Sequence, residues 1–247
     1  MAYMSWAQPM SCMLIIIDKY LALLNNYKLA FYNIPVNEYT TKKRESSGGS
    51  MNKKQTTLKL AQAALMAALC YIGFQFLRFD IPVGMEKTAI HFGNTFCVLG
   101  ALLIGGLWGG LAGAVGMTIA DLTSDYVTYA PKTFLLKLCI GLIVGLVAHK
   151  IAKLSKEHDK AYIMRWTVIA AIAGMAFNVV ADPVVGYFYK RYLLGLEANL
   201  AETLAKITAA TTFVNAITSV IIASLLYVAI RPALIKAGLY VNVDDKR

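Results

Sequence analysis

The sequence predicts an all-α integral membrane protein with six transmembrane helices and both termini on the cytoplasmic side. Three observations carry this. The chain is 58% hydrophobic and only 15% charged, with a mean hydropathy of +0.56, more apolar surface than one globular core can hide, so lipid must act as part of the solvent. The apolar residues fall into long runs divided by short polar segments. The basic residues, which give the chain a net charge of +10, gather in alternate segments. That is the pattern of cytoplasmic loops, not of a surface that binds nucleic acid.

Residues 1–50 differ from the rest of the chain. The apolar piece at 10–24 is too short to span, is interrupted by Asp18 and Lys19, and has no basic residues before it, so it fits neither a spanning helix nor a signal peptide. A polar linker, Ser46-Ser47-Gly48-Gly49-Ser50, then leads to Met51. Residues 1–50 are expected to be an N-terminal extension, disordered or translated upstream sequence, and 51–247 to be the membrane domain. The competing reading makes the first segment a peripheral amphipathic helix.

Beyond Met51 the chain has six spans, at about 57–77, 91–104, 107–123, 132–149, 166–189 and 206–230. Those of 14 to 17 residues imply local tilt or thinning of the bilayer. Lys53, Lys54 and Lys59 precede the first span, five basic residues crowd 150–165, and Arg231, Lys236, Lys246 and Arg247 come after the sixth. These segments lie on one side if the count is even, which puts 78–90, 121–132 and 190–205 outside. No internal repeat relates the spans, which lowers the expectation of a self-contained alternating-access carrier.

Small residues mark the close contacts. Ala63/Ala67 and Ala64/Ala68 lie on adjacent faces of the first helix, and each face could dock a helix of this chain or of a partner. The run 96–120 carries no charge but is broken by Gly105, Gly106, Gly109 and Gly110, which argues for a tight re-entry between two packed helices. Gly141 and Gly145 repeat the device in the fourth span.

The polar residues inside these spans are the candidates for a site. Asp121 is costly in a helix, by about 2.5–3.5 kcal/mol at mid-membrane, and needs a partner. Lys137, at a depth that allows the two to meet, could form an internal pair with it or help bind a ligand. Lys132 lies nearer the surface, beside Tyr129. In the fifth span Gly174, Asn178, Asp182 and Gly186 form one stripe, and Pro183 should kink the helix at Asp182. Tyr187, Tyr189 and Tyr192 read as an interfacial aromatic belt or as a lid. Thr208, Thr211, Thr212, Asn215 and Ser219 form a second stripe, in which the hydroxyls can bond their own helix but Asn215 cannot be so dismissed.

Catalytic and cofactor signals are missing among these residues. The cysteines at 12, 70, 97 and 139 fall singly, as small buried hydrophobes would. His91 has no second histidine or cysteine at metal-ligand spacing, so no metal site is expected. No phosphate-binding loop, hydrolase motif or dinucleotide fingerprint occurs, so neither a catalytic residue nor a cofactor is assigned.

The order of these features resembles the substrate-binding S components of energy-coupling factor (ECF) vitamin importers, in the branch labelled riboflavin-transporter-like. The resemblance covers about 53–235 and rests on H-x-G-N at 91–94, the glycine-rich turn with Trp108, G-L-A-G-A-V-G at 110–116, A-D-L at 120–122 and Y-A-P-x-T at 129–133. It implies a six-helix subunit of a bacterial plasma membrane that captures a vitamin outside and works with a transmembrane T component and two cytosolic ATPases. It also implies that Ala63, Ala64, Ala67 and Ala68 meet the T component, and that Asp121, Tyr129, Lys137, Asn178, Asp182 and Asn215 are the matching polar positions for the ligand. Lys132 joins them from the residue reading. A pyridoxine-, pyrimidine- or flavin-like ring would suit carboxylates, lysines and aromatics on one wall. The alternatives are an independent carrier or channel and, less well supported, an intramembrane enzyme.

Overall fold

The computed structural model describes residues 48–83, 86–157 and 159–243, with side chains from Gln55 onward except at Val83 and Glu86. The expectations for residues 1–47, including Cys12, lie outside the described residues.

Six helices occur where six were expected: α1 (Gly48–Gln75), α2 (Gly93–Ile104), α3 (Gly106–Leu122), α4 (Ala130–Gly145), α5 (Lys160–Phe188) and α6 (Ala198–Lys236). The departure from an all-α chain is a hairpin, β1 (Arg78–Val83) and β2 (Glu86–His91), where the sequence suggested only an external loop. Its antiparallel register pairs Arg78 with His91 and Val83 with Glu86. A 3-10 turn (Val127–Tyr129) precedes α4, and single π-helical turns end α4 and α5. Pro183 does not end α5, which runs on to Phe188.

Four helical stretches are long and apolar enough to cross a membrane: Gln55–Gln75, Val127–Ile151, Lys160–Leu193 and Ala198–Lys236. The remaining two helices are shorter. At 1.5 Å per residue the 12 residues of α2 reach only about 18 Å, against a hydrocarbon core of about 30 Å. For α2 the environment explains this. Every residue of α2 except Phe96 is buried, among α1, α3, α4 and α6, so α2 faces protein on all sides, as an all-round apolar helix should. Exposed leucines and valines, such as Leu65, Leu107, Leu135 and Val180, lie on the outer faces of α1, α3, α4 and α5.

The glycines act inside the chain. Gly105, at φ 91°, turns α2 into α3 in a conformation that side-chain-bearing residues rarely adopt. Gly106 and Gly110 of α3 lie against Gly145 and Gly141 of α4, and a Cβ on Gly141 or Gly145 would overlap the facing glycine backbone. Gly116 likewise abuts the Ala67 carbonyl of α1. Backbones this close replace the driving force that lipid does not supply.

At the end of the bundle away from the hairpin, polar groups are bonded to one another. Arg231 of α6 is buried and donates from Nη2 to the carbonyls of Leu154 (3.1 Å) and Glu157 (2.7 Å), while its guanidinium lies 5.3 Å from the ring centroid of Tyr240. The Val243 N–H donates to Ser155 Oγ (3.3 Å), and Ser155 Oγ lies 3.2 Å from His149 Nδ1. His149 Nε2 is 3.1 Å from the Ala101 carbonyl, which can only accept, so Nε2 carries a proton and donates to it. The segment after α6 is thus tied to the α4–α5 connection and to α2.

Candidate ligand-binding site

At the hairpin end a cavity of about 90 Å³ is lined by β2, all six helices and the turn before α4. Six of the seven expected residues line it: Asp121, Tyr129, Lys132, Lys137, Asp182 and Asn215. Asn178 does not. It sits one turn deeper than Asp182, fully buried, with neither amide atom hydrogen-bonded among the described residues.

The pairing differs from the expectation based on depth. Lys132, not Lys137, forms the ion pair of the cavity, with Nζ 2.7 Å from Asp182 Oδ1. Thr212 donates to the other oxygen of Asp182 at 2.8 Å. Asp121 is 2% exposed, and its Oδ2 has no hydrogen-bond partner among the described residues. Equal depth on neighbouring antiparallel helices is not enough to form a pair: Asp121 and Lys137 both line the cavity, yet no ion pair within 4 Å joins them among the described residues.

Asn215 lines the cavity, as its polarity suggested, and also braces the hairpin. Its Oδ1 accepts from the His91 N–H (2.9 Å) and its Nδ2 donates to the Ala89 carbonyl (3.0 Å). Thr211 and Thr88 share a hydroxyl hydrogen bond at 2.9 Å, and Thr95 donates to Ser219 at 3.3 Å. The polar stripe of α6 therefore seats the hairpin and α2, and Asn215 holds the cavity wall in place. Thr211 also bonds back to its own helix.

Further lining residues were legible only in part. His91 and Asn94, the ends of the H-x-G-N motif, both line the cavity, and His91 Nδ1 and Asn94 Oδ1 lack partners among the described residues. Three residues of the cavity wall, Asp121 among them, thus each carry a buried polar atom with no partner among the described residues, although native cores satisfy most such groups. Aromatic walls come from Phe74, whose ring centroid is 4.7 Å from that of His91 and 5.8 Å from that of Tyr126. Lys132 and Lys190 each place Nζ 5.6 Å from the Tyr129 ring centroid. Lys190 and Phe74 carried no signal in the sequence, since a lysine after a helix and an apolar phenylalanine are ordinary at such places.

The hairpin is held over this cavity by further contacts, in which the lining residues Phe74, Tyr126 and Lys87 take part. Arg78 lies 5.5 Å from the Phe74 ring centroid and 5.3 Å from that of Tyr126, and pairs with Asp80 at 3.2 Å. The Tyr126 hydroxyl donates to Asp80 (3.1 Å), and burial together with the Asp80 charge raises its pKa above the ordinary tyrosine value. Lys87 reaches Asp125 at 2.6 Å, which holds the Asp125 carboxyl below its usual range and raises the Lys87 ammonium.

A family model described as the S component of ECF-type riboflavin transporters matches residues 54–232. The chain belongs to this family. As a member of the ECF S components it is a multi-pass membrane protein of transport, in a family of transporter subunits rather than of enzymes. It is also 38% identical over 65 residues to an uncharacterized protein in gap 3'region of Pyrococcus woesei. That match takes in 26% of this chain and 43% of the relative, so it spans less than half of the relative's length. No solved structure matches the chain.

Proposed function

We propose that this S component captures a small vitamin or vitamin precursor at the outer face of the bacterial plasma membrane for ATP-driven uptake. Residues 51–247 are the working unit, with six spans, both termini cytoplasmic and the hairpin end outside, as the positions of the basic residues favour. The observation that carries the reading is the cavity itself, walled beneath a hairpin in an apolar chain by charged and polar residues, three of which each carry a buried polar atom unpaired among the described residues. Asp121, Tyr129, Lys132, Lys137 and Asp182 are its ligand-facing residues, joined by His91 and Asn94, while Asn215 positions the hairpin.

The chain carries no nucleotide-binding motif, so energy must come from elsewhere. The family membership supports a transmembrane T component and two cytosolic ATPases as partners. The docking face is narrower than the sequence suggested. Ala63 is buried and Ala67 packs its carbonyl against Gly116, so that pair serves the chain's own packing; Ala64 and Ala68 are exposed.

Uptake in vesicles tests the reading. Transport should require the T component, the ATPases and ATP, and Ala64→Leu with Ala68→Leu should abolish it while ligand binding stays intact. Transport by the chain alone would make it an independent carrier or channel instead. Loss of binding in the double variant would remove these alanines from a docking role.

A further inference from the structure

The chain turns back on itself after α6. Gly238, at φ 68°, ends the helix in the left-handed conformation, and the Leu239 and Tyr240 N–H groups return to the Leu234 carbonyl at 2.9 and 3.1 Å. Residues 239–243 then lie on the end of the bundle away from the hairpin. The Tyr240 hydroxyl accepts from Arg231 Nε at 3.3 Å, and Val241 is buried. Val243 donates its N–H to Ser155 and places its side chain beside Gly105, where Cγ1 would stand 2.7 Å from an added Cβ. The Leu239 carbonyl accepts from Gln62 Nε2 of α1 at 2.8 Å. Five residues thus join α6, the α4–α5 connection, the α2–α3 turn and α1.

The contact with α1 falls where that helix is held least. Of the four stretches long enough to cross a membrane, that of α1 is the least enclosed, with 28% of its apolar stretch buried against 33–50% in the others. Its close approaches to α2 and α3 run from Met66 onward: Met66 lies on Gly100, the Ala67 carbonyl on Gly116, and Gly73 on Phe96. Between Gln55 and Leu65 only Ala63 is buried. Gln62 sits in this looser half, one turn before Met66 and beside the exposed Ala64. A helix packed tightly in one half can pivot there, and small-residue docking, which needs backbones to approach closely, is sensitive to the angle.

Resting on the docking role proposed for Ala64 and Ala68, we infer that residues 239–243 are a positioning strap, which clamps the looser half of α1 to the bundle and sets the angle at which the alanine face meets the T component. Gln62 is the anchor of the strap on α1.

The full chain in nanodiscs tests this, with two readouts: assembly with the purified T component and ATPases, and amide hydrogen exchange at 55–66 compared with the hairpin at 78–91. Gln62→Met keeps the length of the side chain and removes its donor. It should speed exchange at 55–66, leave the hairpin unchanged and weaken assembly about threefold, the scale of one modest hydrogen bond. Gln62→Lys, which still donates, should assemble as the wild type does. Val241→Asp with Val243→Asp puts charges into the seat of the strap and should weaken assembly by about tenfold or more. If that variant fails to fold, Gln62→Met decides alone. Wild-type assembly by Gln62→Met overturns the inference. So does weaker assembly without faster exchange at 55–66, which would mean that Gln62 meets the partner directly, and so does equal loosening of the hairpin, which would make the strap general framework. The docking reading fails by a different result, normal assembly of Ala64→Leu with Ala68→Leu.

Discussion

The two ends of the bundle both bury polar groups in an apolar chain, but they treat them in opposite ways. Around Arg231 the donors and acceptors meet one another: the guanidinium caps two carbonyls, and Val243, Ser155, His149 and Ala101 form a relay of bonds. Around Asp121 three atoms are left unpaired beside Lys137. An unpaired buried polar atom costs about 1–3 kcal/mol, whereas a paired one returns a modest net gain. Among the described residues unpaired atoms also occur away from this cavity, at Thr118, Thr167, Asn178 and Ser224, so it is the coincidence of unpaired groups with a cavity wall that separates site from framework where polarity alone could not.

That contrast can be broken most severely at Arg231. Arg231→Met strands the Leu154 and Glu157 carbonyls and should lower unfolding stability by about 3–5 kcal/mol, seen in thermal unfolding of the solubilised protein. Ligand affinity in the surviving folded fraction should hardly change; a large affinity loss would mean the two ends are coupled. Asp182→Ala reverses the pattern. It leaves Lys132 without its carboxylate and should raise the ligand dissociation constant by about tenfold or more, equivalent to about 1.4 kcal/mol; an unchanged constant would make the Lys132–Asp182 pair purely structural.

Asn178 tests the rule in the core between the ends. Its amide is unpaired among the described residues yet does not line the cavity at the hairpin end, so Asn178→Leu should keep or raise stability by up to about 1 kcal/mol without altering affinity. Weaker binding would return it to the site. The smallest effect is expected for the exposed Lys87–Asp125 pair. Because Lys87 lowers the Asp125 pKa, the pair contributes at neutral pH and fades as pH falls through and below the ordinary carboxylate range. Asp125→Asn should remove that acid-side dependence from the melting curve and leave neutral-pH stability within error.

Much of the frame is legible in the sequence because it depends on local pattern. Apolar runs mark the six helices, glycines at four-residue spacing mark the close α3–α4 contact, and the stripe from Gly174 to Gly186 contributes Asp182 to one wall. The remainder depends on azimuth or on distant backbone. Depth makes Asp121 and Lys137 look like partners, yet Lys132 has the geometry to reach Asp182. The alanines of α1 mark two faces, but only the fold shows which one this chain covers. The hairpin is hidden because Phe79-Asp80-Ile81-Pro82-Val83 carries a proline, which argues against a strand except at an edge. His91 and Asn94 stand in plain view as a motif, but a lone histidine at a membrane edge is too commonplace to mark a site.

The amide of Asn215 has one more consequence. It takes the Ala89 carbonyl and the His91 N–H, two groups on the same edge of β2 that a third strand would otherwise claim. A single side chain thus stands in for a neighbouring strand and acts as a register pin. A hairpin that slipped by one residue would exchange its inward and outward side chains, and this one cannot slip without surrendering both bonds. The helix that bears Asn215 therefore admits one register for the roof of the cavity.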